Sequence, residues 1–130
     1  MNPDPNFTPS SVAALVPTDH AVAPHALSPL EAELAAAVRG QVRFGGHDRA
    51  LYSTDASPYQ VEPIGVVVPA GVADVAAVLA ICARRGVAVL PRGGGTSLAG
   101  QCTNAAVVVD LSALCRKMLW ADGAARLCEA

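Results

Sequence analysis

The chain has 130 residues, of which 52% are apolar, 15% charged and 4% aromatic, and its formal net charge is −2. That suffices for one domain with an aliphatic core and gives no electrostatic case for nucleic acid; no run approaches the roughly 18 apolar residues of a membrane span. Cys82, Cys102, Cys115 and Cys128 form no C-x-x-C pair, which argues against a zinc or iron–sulfur centre, so no metal ligand is assigned. So much aliphatic sequence also argues against a disulfide framework and for a reducing, cytoplasmic setting. The first residues lack the basic start and apolar core of a secretory signal.

Residues 1–27 carry Pro3, Pro5, Pro9, Pro17 and Pro24, which interrupt any helix. This stretch reads as a disordered, Pro-rich tail, with His20 and His25 as solvated residues in it. Ser28, Pro29 and Glu31 mark a helix start: a capping serine, a proline at the first helical position and a glutamate that closes a capping box. Leu30, Leu34, Ala37 and Val38 follow at helical spacing, with Gly40 as the stop. Val42, Arg43 and Phe44 form a short extended piece, and His47 falls in a glycine-flanked polar turn, read as exposed rather than catalytic. Residues 52–59 are expected to be irregular, since Pro58 restricts Ser57. Asp55 is the carboxylate of interest there, either an Asx-turn residue that fixes the loop or a contact to a bound ligand.

Ile64, Gly65, Val66, Val67 and Val68 form a run closed by Pro69 and read as a buried strand. Val72, Val75, Ala76, Leu79, Cys82 and Ala83 trace a helical stripe that Val78 and Ile81 widen. Asp74 lies near the positive end of this helix and Arg84 and Arg85 near its negative end, with Gly86 as terminator. The arginine pair is thus a helix-end feature, and Cys82 a small buried hydrophobe. Residues 87–90 are the next strand, which completes a right-handed β-α-β unit, and residues 106–110 give a third. After a short Leu/Met segment, Asp122 and Gly123 stand between residues 119–121 and 124–127 and signal a type I′ hairpin. The expected fold class is α/β (α+β overall): a small parallel three-stranded β-α-β subdomain plus the start of an antiparallel second subdomain.

The chemistry is concentrated between the second and third strands, in the run Pro91, Arg92, Gly93, Gly94, Gly95, Thr96, Ser97, Leu98, Ala99, Gly100, Gln101. Three successive glycines let the backbone turn sharply and lie against a ligand. Successive backbone N–H groups in such a turn make a concavity for anions, and Thr96, Ser97 and Gln101 add side-chain donors. Ligands of parallel sheets bind outside the carboxyl ends of the strands, where this loop must lie. It reads as a diphosphate cradle, against the plainer alternative of a tight turn with no ligand. It is not the G-x-G-x-x-G fingerprint, because Leu98 stands where the third glycine belongs. Nor is it a P-loop: Gln101 and Cys102 replace the lysine and hydroxyl residue, which disfavours NTP hydrolysis.

Residues 91–101 resemble the FAD diphosphate loop of the FAD-linked oxidase family of the vanillyl-alcohol oxidase type. The nearest branch is that of glycolate oxidase, D-lactate dehydrogenase and D-2-hydroxyglutarate dehydrogenase; residues 51–59 and 65–69 match it in order and spacing, and the likeness covers roughly residues 28–130. The resemblance implies FAD bound through Arg92, Gly93, Gly94, Gly95, Thr96, Ser97, Gly100 and Gln101, as part of an FAD-dependent oxidoreductase acting on D-2-hydroxyacids. Arg92 would place the loop or supply charge to phosphate, against the alternative of a surface ion pair. Relatives that tether FAD covalently often carry a histidine where this chain has Thr96, so the implied FAD is non-covalent. No catalytic residue is assigned. In the resembled family a second antiparallel subdomain and a substrate domain follow, so residues 28–130 are expected to be a truncated N-terminal portion that a downstream polypeptide would complete. The opposing reading is an inactive remnant, or a partner-dependent nucleotide-binding module without catalysis.

Overall fold

The computed structural model describes residues 28–114, 116, 120–122, 124 and 127–129. The expected tail over residues 1–27 lies outside the described residues, as does Gly123 of the hairpin. The elements in chain order are α1 (Pro29–Ala37), β1 (Gln41–Arg43), α2 (Gly46–Leu51), β2 (Gly65–Val68), α3 (Val72–Arg85), β3 (Val89–Arg92), β4 (Val107–Asp110), β5 (Trp120–Asp122) and β6 (Leu127–Glu129).

Helix α1 begins as its local sequence dictates. The Glu31 amide donates to Ser28 Oγ at 3.2 Å, and the Ser28 amide donates to Glu31 Oε2 at 3.3 Å. The helix ends at Ala37 with Val38 as its cap, so Gly40 is not the stop. Gly40 is needed for a close approach instead: a Cβ there would lie 2.2 Å from the Val68 carbonyl oxygen. Helix α2 occupies the stretch expected to be a turn, with His47 exposed on it.

Four strands form one sheet in the order β1-β2-β4-β3. The expected parallel trio is present, and β1 adds an antiparallel edge against β2. Strand β3 starts at Val89, two residues later than expected, so Pro91 lies within it. Being an edge strand makes this tolerable. The Ala88 and Arg92 carbonyls accept from Val107 and Leu111, which turns the intervening Pro91 nitrogen to the free edge.

Alternation along the strands assigns two faces. Val67, Val107 and Val109 pack with Leu34, Val38, Phe44, Val78, Ile81 and Cys82 in the main core. Val66 and Val108, also fully buried, point the other way. Helix α3 presents a different face from the one expected: Asp74, Val78, Ile81 and Cys82 are buried, whereas Val72 is 83% and Leu79 51% exposed. Val78, Ile81 and Cys82, with Val75 packed beside them, keep helical spacing, so the core lies on the side of the stripe that Val78 and Ile81 widen. Asp74 lies on the same face, and its carboxylate accepts the amides of Arg39 at 3.1 Å, Gly40 at 2.9 Å and Ala70 at 2.8 Å. Arg84 and Arg85 both pair with Glu33 of α1, the latter at 2.5 Å. The Arg85 hydrogen bond, opposed by desolvation and joined by Arg84, holds the Glu33 carboxyl below its usual range.

Strands β5 and β6 pair antiparallel, as expected of the hairpin, but in a different register. Asp122 lies within β5, paired with Leu127, rather than in the turn as expected.

Candidate functional site

Arg92 and Asp110 end their strands as paired neighbours, and alternation places both on the face opposite the main core. Residues 52–54 lie there. Arg92 Nη1 donates to the carbonyls of Tyr52 at 3.3 Å and Cys102 at 3.0 Å, and Nη2 to that of Thr54 at 2.8 Å. Its guanidinium carbon is 5.3 Å from the centroid of the Tyr52 ring. Among the described residues no carboxylate lies within ion-pair distance of it. The Tyr52 hydroxyl donates to Asp110 Oδ2 at 2.6 Å, and the Ser112 amide to Oδ1 at 2.9 Å. Burial and the bond to Asp110 push the Tyr52 phenol up to about 12. Burial also works to raise the Asp110 carboxyl, but the hydrogen bonds from Ser112 and Tyr52 hold it below its usual range.

Asp55 forms the Asx turn: its Oδ1 accepts the Ser57 amide at 2.9 Å. Its Oδ2 accepts the Cys102 amide at 3.2 Å. Hydrogen bonding by Ser57, opposed by partial burial and aided by Cys102, lowers the Asp55 carboxyl. The Ala56 amide donates to the Gly95 carbonyl at 3.1 Å.

The glycines of the loop divide into two kinds. Gly95 and Gly100 have φ of 68° and 75°, the left-handed region that favours glycine. A Cβ would stand 2.5 Å from Arg92 Nη2 at Gly95 and 2.8 Å from the Tyr59 ring at Gly100. Gly93 faces nothing within 4 Å, and the nearest atom to a Cβ on Gly94 is Thr96 Cγ2 at 3.6 Å. These two border a cleft of about 420 Å³ at the carboxyl ends of β3 and β4, lined also by Pro91, Arg92, Leu111 and Ser112. A cleft of similar size between α1 and α3 is lined mostly by alanines and Ile81, and its two charged residues, Glu33 and Arg84, pair with each other.

The structure thus brings Arg92, Gly93 and Gly94 to the cleft. Gly95 and Gly100 shape the loop behind it. The Ser97 hydroxyl donates to Gln101 Oε1 and accepts the Ala99 and Gln101 amides at 3.3 and 3.2 Å, so these two side chains bond each other. Thr96 is exposed. Two bare glycine backbones beside a guanidinium suit the close approach of a phosphate-bearing group. Sequence reasoning passed over Tyr52 and Asp110; the available signal was an acid closing an otherwise all-valine buried strand. Among the described residues no three His, Cys, Asp or Glu side chains group as a metal site, and no helix is long and apolar enough to cross a membrane.

Comparison with known proteins gives consistent matches. The family model described as "FAD binding domain" matches residues 63–130. D-2-hydroxyglutarate dehydrogenase of Escherichia coli (strain K12) is 44% identical over 68 residues, which is 50% of this chain and 7% of that protein. Its Pseudomonas putida namesake is 40% identical over 96 residues, 70% of this chain and 10% of that protein. Glycolate oxidase subunit GlcD of Bacillus subtilis is 42% identical over 53 residues, 40% of this chain and 11% of that one. The chain therefore spans about a tenth of the length of these curated relatives. Among solved structures, a variant of Physcomitrella patens BBE-like 1 superposes with a TM-score of 0.59 at 25% identity, covering 75% of this chain and 22% of that one. Xylooligosaccharide oxidase from Myceliophthora thermophila C1, in complex with xylobiose, shares the fold with a TM-score of 0.58 at 21% identity, covering 78% of this chain and 22% of that one. The resemblance to the FAD-linked oxidases of the glycolate oxidase and D-2-hydroxyglutarate dehydrogenase branch is borne out.

Proposed function

Because the chain belongs to the FAD binding domain family, we propose that its glycine loop anchors the diphosphate of a non-covalently held FAD, within an oxidoreductase acting on D-2-hydroxyacids of the lactate, glycolate or 2-hydroxyglutarate type. The observation that carries this reading is the exposed backbone of Gly93 and Gly94 on the cleft at the carboxyl ends of β3 and β4. Arg92 supplies positive charge at the edge of that cleft while its donors hold the carbonyls of Tyr52, Thr54 and Cys102. Leu111 and Ser112 form the opposite wall. Thr96 has no imidazole to alkylate, which supports a dissociable cofactor. Bound FAD would supply hydride acceptance from the carbon that bears the substrate hydroxyl. The substrate class is suggested by the relatives named D-2-hydroxyglutarate dehydrogenase and glycolate oxidase, and the matched FAD binding domain spans residues 63–130, which include this loop. Residues 28–130 would then be the cofactor-anchoring portion of a flavin domain, with a further polypeptide segment closing over the ring.

The test is to titrate the protein with FAD and follow quenching of flavin fluorescence, then denature the complex in acid and separate pellet from supernatant. Saturable quenching, with intact FAD in the supernatant, is the expected result. Flavin retained in the pellet overturns the non-covalent assignment, FMN in the supernatant overturns the assignment of FAD, and absence of binding overturns the site.

A further inference from the structure

Residues 52–59 strap the glycine loop at its start, middle and end. Arg92 grips the carbonyls of Tyr52 and Thr54. The Gly95 carbonyl takes the Ala56 amide, and the Tyr59 ring lies against Gly100. Cys102 is held from both sides, its amide by Asp55 Oδ2 at 3.2 Å and its carbonyl by Arg92 Nη1 at 3.0 Å. None of these contacts uses Gly93 or Gly94, whose backbones stay open to the cleft.

We infer that Asp55 is a positioning residue for the cofactor site: without touching the ligand, its carboxylate sets the far end of the loop so that the Gly93 and Gly94 backbone is in its binding shape before FAD arrives. This rests on the reading of the loop as the FAD diphosphate site. The chemistry of the side chain fits the task. One oxygen closes the local turn on the Ser57 amide, and the other reaches the Cys102 amide 47 residues further along the chain. Both partners are N–H donors, so two acceptor oxygens are required. An asparagine offers one acceptor and sets an NH₂ group against the second donor. A carboxylate also makes the stronger, charge-assisted bonds. A loop already ordered in the free protein spends less of its interaction energy on ordering when the ligand binds.

The experiment compares the 130-residue protein with Asp55→Ala, Asp55→Asn and, as a control for lost stability alone, Ile81→Val. Ile81 is a core residue near the C-terminal end of α3, which places it at the opposite end of the sheet from the loop. Hydrogen exchange is measured first, without FAD. Amides of residues 93–103 are expected to exchange about tenfold faster in Asp55→Ala, by a smaller factor in Asp55→Asn, and at the wild-type rate in Ile81→Val. Flavin fluorescence then gives the affinity, with a fall of about tenfold expected in Asp55→Ala, a partial recovery in Asp55→Asn and no change in Ile81→Val. Wild-type exchange over the loop in Asp55→Ala overturns the inference, as does a loss of affinity that Ile81→Val reproduces. Failure of the wild type to bind FAD overturns the cofactor reading instead, and the exchange measurement still decides whether Asp55 sets the loop.

Discussion

Gly93 and Gly94 are the two loop residues whose lack of a side chain the protein's own packing does not demand. Gly95 and Gly100 have left-handed backbones and neighbours that a Cβ would crowd, at 2.5 and 2.8 Å, whereas Gly94 has neither, its nearest neighbour standing at an ordinary 3.6 Å. A valine at Gly94 therefore meets little of the protein and, with no positive φ there, little backbone strain. Gly94→Val is expected to move the melting midpoint by no more than about 3 °C while lowering FAD affinity at least about tenfold. Circular dichroism and flavin fluorescence measure the two quantities. Equal affinity for wild type and variant removes Gly94 from the site. A run of three glycines announces a special backbone, but identical letters do not say which one bends and which one is bare. The same limit applies to Ser97 and Gln101. A polar side chain in a loop carries no mark of whether its partner is a ligand or the chain itself, and here the two bond each other.

At the level of the elements, the junction of α1, β1, β2 and α3 is held by one buried carboxylate. Asp74 is 2% exposed and collects three backbone amides from two different connections. The amides of Ala70 and Arg39 are the main influences that lower its carboxyl, with burial opposing them and Gly40 adding to them. A depressed folded value means that Asp74 contributes stability in full above its unfolded value, and that this contribution is lost as pH falls through the folded one. Asp74→Asn is expected to lower the melting midpoint at neutral pH by roughly 5–15 °C and to flatten the acid limb of the stability curve. Parallel acid limbs in thermal melts from pH 7 to pH 2.5 would exclude the assignment. Helix α1 was legible because a capping box is a local code, written in three residues and read by the backbone beside them. Helix α2 was not, since Gly45 caps it with no side-chain bond and its six residues include a glycine. Strand β1 was legible only as an extended piece, because its three residues acquire their meaning from pairing with β2. The buried face of α3 keeps the helical spacing of Val78, Ile81 and Cys82, and Asp74, one turn before Val78, joins it through tertiary bonds that the sequence does not announce.

For the molecule as a whole, the proposed role of the cleft is to hold an anion. Among the described residues its lining of Pro91, Arg92, Gly93, Gly94, Leu111 and Ser112 offers no carboxylate or imidazole to take a proton from a substrate, and the nearby Tyr52 and Asp110 are bonded to each other. The 130-residue chain supplied with FAD is therefore expected not to reduce an artificial dye with D-lactate, glycolate or D-2-hydroxyglutarate beyond the rate of Gly94→Val. Substrate-dependent reduction above that control would show that these residues suffice for catalysis. The parallel trio of strands was legible from three valine-rich runs, but their order was not, because a strand's sequence does not name its neighbours. That order has a consequence in time. Strands β2 and β3, tied together by α3, do not touch, and β4, the last strand of the sheet to be synthesised, is the one that joins them. Until residues 107–110 arrive, the facing edges of β2 and β3 have no partner for their backbone groups. A nascent chain released before that point lacks the parallel sheet on which to order the glycine loop. Folding is therefore expected to be a single late closure, in which Val107 must find Gly65 and Val89 together, and its rate is set by that distant encounter rather than by the quickly formed helices.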